Sequence, residues 1–123
     1  MAAYTTIDDA GSFFNTTLYA GTGSSNAITG VGFQPDFTWL KNRDAADEHV
    51  ATDAARGATK FIVPNATDAE VTNGETLKSF DSDGFTVGTF ETVNTNTEKY
   101  VSWNWKMGTT SGITTCSWIR SYA

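Results

Sequence analysis

Apolar and polar residues alternate through Tyr100-Val-Ser-Trp-Asn-Trp-Lys106, so that Val101, Trp103 and Trp105 fall on one side and Ser102, Asn104 and Lys106 on the other. A repeat of two is that of a pleated strand. It predicts a central strand whose tryptophan face packs against an opposing sheet, with Tyr100 on the polar face. Phe37-Thr-Trp-Leu-Lys41 alternates in the same way, with Phe37, Trp39 and Lys41 on one face and Thr38 and Leu40 on the other. Pro35, just before it, suits a strand entrance because it has no ladder donor. Shorter strands are expected at 16–20, 27–29, 49–52, 59–63, 77–80 and 85–87. No window of a dozen residues repeats apolar positions at helical spacing.

Turn chemistry divides these stretches at regular intervals. Asn73-Gly74 and Asp83-Gly84 pair two residue types that tolerate positive φ, and Asp83-Gly84 marks the best hairpin, between 77–80 and 85–87. Gly21-Thr-Gly-Ser-Ser-Asn26 and Gly30-Val-Gly32 read as loops. Residues 42–48 read as an acidic loop, and 67–70 has the spacing of a capping box without an apolar run behind it, which supports a single turn. About eight strands with frequent turns predict an all-β fold, an antiparallel two-sheet sandwich of jelly-roll type. Residues 1–108 are expected to form the sandwich with an N-terminal arm, and 109–123 a polar linker and a short apolar C-terminal tail.

Composition agrees. About one residue in six is Thr, Gly is frequent, and 13% of the chain is aromatic, which suits pleated, half-buried surfaces joined by turns. The 123 residues are enough for one domain with its own core. A net charge of -6, with 8 Lys and Arg scattered along the chain, argues against nucleic acid as a partner, because a phosphate-tracking groove gathers its cations on one face. No apolar run approaches the roughly 20 residues that cross a bilayer, and the first residues lack the charged and apolar regions of a secretory signal. A soluble chain made in the cytoplasm is expected.

Candidate chemistry is sparse. The lone Cys116 has no disulfide partner, and with His49 as the single imidazole no structural zinc site is expected. His49 sits among Asp47, Glu48 and Asp53 with no nucleophile motif beside it, and Gly21-Thr-Gly-Ser-Ser25 does not match a nucleophile elbow. Two carboxylates could run glycoside hydrolysis, but no pair among 14 acids stands out. Asp81-Ser-Asp-Gly84 begins like a calcium loop, yet Phe85 stands where the third ligand belongs, and an ordinary hairpin turn is the better reading. Gly21-Thr-Gly23 lacks the third glycine and the helix of a phosphate-binding fingerprint. Asn15-Thr-Thr17 and Asn65-Ala-Thr67 match the glycosylation sequon, as chance allows in a Thr-rich chain. No catalytic residue, metal or cofactor is expected.

Aromatic residues remain, and a sandwich binds proteins or sugars through exposed rings. Phe13 and Phe14 near one end and Trp118, Ile119 and Tyr122 near the other are candidates for docking on neighbouring subunits, because terminal segments stay ordered only when tied down. The alternative is a glycan-binding surface of Tyr100 and Asn104 with the loop residues Asn94 and Asn96.

The ordered segments Ala3-Tyr-Thr-Thr-Ile-Asp-Asp9, Leu18-Tyr-Ala-Gly-Thr-Gly23, Gln34-Pro-Asp-Phe-Thr-Trp-Leu-Lys-Asn-Arg43, Ala55-Arg-Gly-Ala-Thr-Lys60, Ser79-Phe-Asp-Ser-Asp-Gly-Phe-Thr-Val-Gly88 and Asn94-Thr-Asn-Thr-Glu-Lys-Tyr-Val-Ser-Trp-Asn-Trp-Lys106 together resemble an uncharacterised domain of tailed-bacteriophage virion proteins, from phages of marine and freshwater bacteria. The resemblance covers about 3–113. It implies a structural protein on the virion exterior, assembled in the host cytoplasm, with other virion proteins and copies of itself as partners. Host surface glycans are the alternative partner. Many members continue after Trp-Lys-x-Gly into a second β domain, whereas this sequence runs only to Ala123. The expectation is therefore a homo-oligomeric module of a short tail fibre, or a capsid decoration or cement protein.

Overall fold

Leu77-Lys-Ser-Phe-Asp81, in which apolar and polar residues mix, and Gly84-Phe-Thr-Val87, rich in β-branched and aromatic residues, are separated by Ser82-Asp83, and they close into a hairpin with Asp81 opposite Gly84. Gly84 is required there, because a Cβ would lie 1.9 Å from the Ile28 carbonyl oxygen. The computed structural model that contains this hairpin describes residues 9–108. A 3-10 turn, Ala10–Ser12, is capped by the Asp9 side chain and leads into the strands. In chain order these are β1 (Phe14–Ala20), β2 (Asn26–Ile28), β3 (Phe37–Asn42), β4 (Val50–Asp53), β5 (Lys60–Ile62), β6 (Val71–Thr72), β7 (Leu77–Asp81), β8 (Gly84–Val87) and β9 (Lys99–Trp105). One helical turn, α1 (Glu91–Asn94), precedes β9.

The strands form two antiparallel sheets, one ordered β1-β9-β3-β4-β5-β6 and the other β2-β8-β7. The fold is an all-β two-sheet sandwich. All eight expected strands are present, within two residues of their expected bounds. The ninth, β6, has two residues, too few for alternation to register. Residues 43–48 form a loop, Asn42 being the last residue of β3, and Asn73 makes the expected turn, its carbonyl accepting from Thr76 N–H and its side chain from Glu75 N–H.

The core lies between the sheets. Leu40, Val50 and Phe61 enter it from the larger sheet, Ile28, Leu77, Phe85 and Val87 from the smaller, and Val93 from α1 closes one end. Tyr19, Phe80 and Phe90 pack against its margin.

Cross-strand register makes the central strand the reverse of the sequence expectation. Residues directly opposite each other share a face, and Leu40 lies opposite both Val50 and Ser102. Once Leu40 enters the core, Ser102 must face inward beside it, and Trp39 with its partner Trp103 must face out. Tyr100, Ser102 and Asn104 do share a face, as the alternation predicts, but each is fully buried. Val101 and Trp103 are half-buried on the outer face, and Trp105 is 38% exposed. The tryptophan face therefore does not pack against the opposing sheet.

A polar inner face is tolerable because its groups are hydrogen-bonded. Thr38 Oγ1 donates to Asn104 Oδ1 at 3.0 Å, and Asn104 Nδ2 donates to the Ser102 hydroxyl at 3.0 Å and the Asn15 carbonyl at 3.1 Å. Ser102 Oγ donates to the Thr17 carbonyl, and Thr52 Oγ1 to that of Thr38, each at 3.3 Å. These bonds tie β1, β9, β3 and β4 together from below.

Candidate interaction surface

With the core on one face of the six-stranded sheet, the other face carries a second set of apolar side chains. Register arranges them in rows. Phe14, Trp105 and Phe37 lie side by side across β1, β9 and β3 and end at Asp53 on β4. The next row runs Thr16, Trp103, Trp39, Ala51 and Ile62, and the next Leu18, Val101 and Lys41. Phe14 is 37% exposed, Leu18 60% and Ile62 41%. Charge is confined to the rim of these rows: Lys41 and Lys99 stand at one end and Asp53 at the other. Asp53 is paired with Arg56 at 2.6 Å, and the Lys41 ammonium turns away to the carbonyls of Asn42 and Ala45.

The rings interlock. Trp105 lies between Phe14 and Phe37, with centroids at 5.0 and 5.1 Å and planes inclined at 53° and 61°. Trp39 meets Trp103 at 6.4 Å and 80°. Its Nε1 donates to His49 Nδ1 at 3.0 Å, so the single histidine orients a surface tryptophan. Tilted and edge-on contacts are the favoured geometry of aromatic pairs.

The expected glycan surface is not formed. Tyr100, Asn104 and Asn94 are fully buried, and of that set Asn96 alone is exposed. Asn94 is a structural hub: its Nδ2 donates to the carbonyls of Ser24 at 2.5 Å and Gly88 at 2.7 Å, and its Oδ1 accepts from Thr22 N–H at 2.9 Å and Asn26 Nδ2 at 3.2 Å. The Tyr100 hydroxyl donates to the Glu91 carbonyl and accepts from Thr95 N–H. Burial raises its phenol above the ordinary value. Burial also pushes Tyr19, stacked on Tyr100 at 5.1 Å, well above 10.0, and the Tyr100 charge adds to the shift. These side chains hold loops together and are not available to a ligand.

Of the expected docking residues, Phe14 joins the outer face and Phe13 is half-buried where the 3-10 turn meets β1. Trp118, Ile119 and Tyr122 lie outside the described residues. Sequence reasoning missed Phe37, Trp39, Trp103 and Trp105 as surface residues. The available signal was Leu40, the large aliphatic residue on the β3 face opposite Trp39, which ties the tryptophans to the outside once strand order is known.

The remaining chemical candidates are occupied by structural bonds. Asp81 accepts from the hydroxyls of Ser79 and Thr86, and Asp83 accepts from Gly30 and Gly32 N–H, which hold its carboxyl below the ordinary value. Asp47 and Glu98 converge on Asn42 Nδ2 at 2.7 and 2.5 Å, and the amide fills the gap between them. Of the sequons, Asn15 donates to the carbonyls of Gly11 and Val31, and Asn65 to Glu48. Among the described residues no group of three or more His, Cys, Asp or Glu could hold a metal, and no helix is long and apolar enough to cross a membrane.

No curated protein and no solved structure matches the chain. Residues 9–122 match a family described as a domain of unknown function, DUF7483, and that span takes in the polar stretch after Gly108 and all but the last residue of the chain beyond it. With the match covering nearly the whole chain, this protein belongs to the DUF7483 family.

Proposed function

We propose that the chain is a structural docking module, of the kind its resemblance to phage virion proteins implies, and that it holds a neighbouring protein by the outer face of its six-stranded sheet. One observation carries the reading: Phe14, Phe37, Trp39, Trp103 and Trp105 cluster on the face opposite the core, with charge only at the rim. Interfaces concentrate aromatic residues at a centre poor in charge and surround it with a polar rim. A few such anchors supply most of the binding energy. The burial of Tyr100, Asn94 and Asn104, the polar and aromatic partners a sugar would use, favours a protein surface over a sugar as the occupant.

Trp105→Arg tests this reading. The side chain is 38% exposed, so the variant is expected to fold, and loss of an aromatic anchor costs about 2 kcal/mol or more of docking, a fall of roughly thirtyfold in affinity. The readout is the amount of the variant retained on purified phage particles relative to the wild type, measured by quantitative mass spectrometry. Equal retention would sink the assignment of the outer face.

A further inference from the structure

β1 is an edge strand, and its open edge can be assigned residue by residue. Phe13 accepts through its carbonyl from Lys106 N–H, and Gly21 N–H donates to the Glu98 carbonyl. In the same unbroken register Asn15, Thr17 and Tyr19 turn their backbone groups toward β9. Phe14, Thr16 and Leu18 therefore present N–H and C=O to the open side, where no described residue bonds to them. The next carbonyl, of Ala20, accepts from Asn26 Nδ2 and closes that end of the edge.

Edges of this kind are ordinarily blunted by lysine, proline, a bulge or very short length. Phe14-Asn-Thr-Thr-Leu-Tyr-Ala20 has none of these: it is seven residues long, uncharged, proline-free and in continuous register. Its side chains are also self-complementary.

We propose that β1 pairs antiparallel with β1 of a second copy about a twofold axis through Thr16. In that register Phe14 lies opposite Leu18 of the second copy, Thr16 opposite Thr16, and Leu18 opposite Phe14, with two backbone bonds for each facing pair. Phe14–Leu18 and Thr–Thr are favourable cross-strand pairs, and they cover two exposed apolar side chains. Moving the axis by one residue in either direction loses a pair, because Thr16 then faces Phe14 and Leu18 runs past the strand end into the 3-10 turn, or Phe14 faces Ala20, whose carbonyl is occupied. The contact uses the same patch on both chains and closes as a dimer. It needs the strand edge alone, and it stands whether or not the aromatic face docks a partner.

The test uses the full chain with Cys116→Ser, to which Thr16→Cys is added. Facing Cα atoms in a hydrogen-bonded antiparallel pair are about 5.5 Å apart, within disulfide reach. Mild oxidation is expected to give a species of twice the 13.3 kDa chain mass, forming about tenfold or more faster than from Ser82→Cys, an exposed control on the β7–β8 turn. Leu18→Lys, at a 60% exposed position, is expected to keep its circular dichroism and to sediment as a monomer at concentrations where the wild type is a dimer. A monomeric wild type overturns the proposal, as it would if residues 1–8 of the same chain covered the edge. Equal cross-linking at Thr16→Cys and Ser82→Cys, or a dimer that survives Leu18→Lys, also overturns it. Loss of particle docking in Trp105→Arg with the dimer intact separates the two surfaces.

Discussion

Replacing Asn94 by alanine removes a fully buried amide that joins the 21–26 loop to α1 and to Gly88. Four hydrogen bonds disappear together. The Gly88 carbonyl is the most enclosed of the partners, and leaving a buried acceptor unsatisfied costs about 2 kcal/mol. The Ser24 carbonyl, Thr22 N–H and Asn26 side chain are closer to the surface, so water recovers most of what they lose, and together they add about 1 kcal/mol. The sum, about 3 kcal/mol, is a large share of the 5–15 kcal/mol that holds a typical domain. For a chain of this size it lowers Tm by roughly 10 °C, read by calorimetry or by circular dichroism during heating. A fall of less than about 3 °C would show that the hub does not hold these loops. A glycan-binding Asn94 on the surface would instead leave Tm unchanged.

The inversion of β9 is checked by a pair of lysines. Ser102→Lys buries an unpaired ammonium and is expected to cost several kcal/mol or prevent folding, whereas Trp105→Lys remains folded; equal tolerance of the two would reverse the face assignment. Thr97 has φ 71°, a left-handed conformation costly for a β-branched residue, so Thr97→Gly is expected to raise stability by about 0.5–1 kcal/mol, and a lower melting temperature would contradict the strain. Asp83 is held below its ordinary 3.8 by Gly30 and Gly32 N–H, which makes its stabilising contribution full above that value and lost as pH falls toward the folded-state value. Asp83→Asn should therefore flatten the acid limb of Tm against pH below about pH 4. The limb should not vanish, because Glu75 is lowered by Thr89 N–H and Lys78 and titrates in the same direction. An unchanged acid limb in Asp83→Asn would refute the assignment.

The sequence by itself determined where the strands lie and where they turn. Alternation in 37–41 and 100–106 requires extended backbone, and Asn73-Gly74 and Asp83-Gly84 mark turns, because these are local properties of φ, ψ and side-chain branching. It did not reveal α1, one turn with no helical repeat, or the two residues of β6. Tertiary structure alone decided which face of each strand is inside. Alternation divides a strand into two sets without saying which meets the core, and hydrophobicity assigned Trp103 and Trp105 to the wrong side. The choice is collective: Leu40, Val50 and Phe61 meet the smaller sheet, register carries that orientation into β9, and buried Asn104 and Ser102 find partners on β1 and β3 that no single strand could supply. The aromatic surface and the open edge of β1 follow from the same strand order, and for that reason neither could be read from the chain alone.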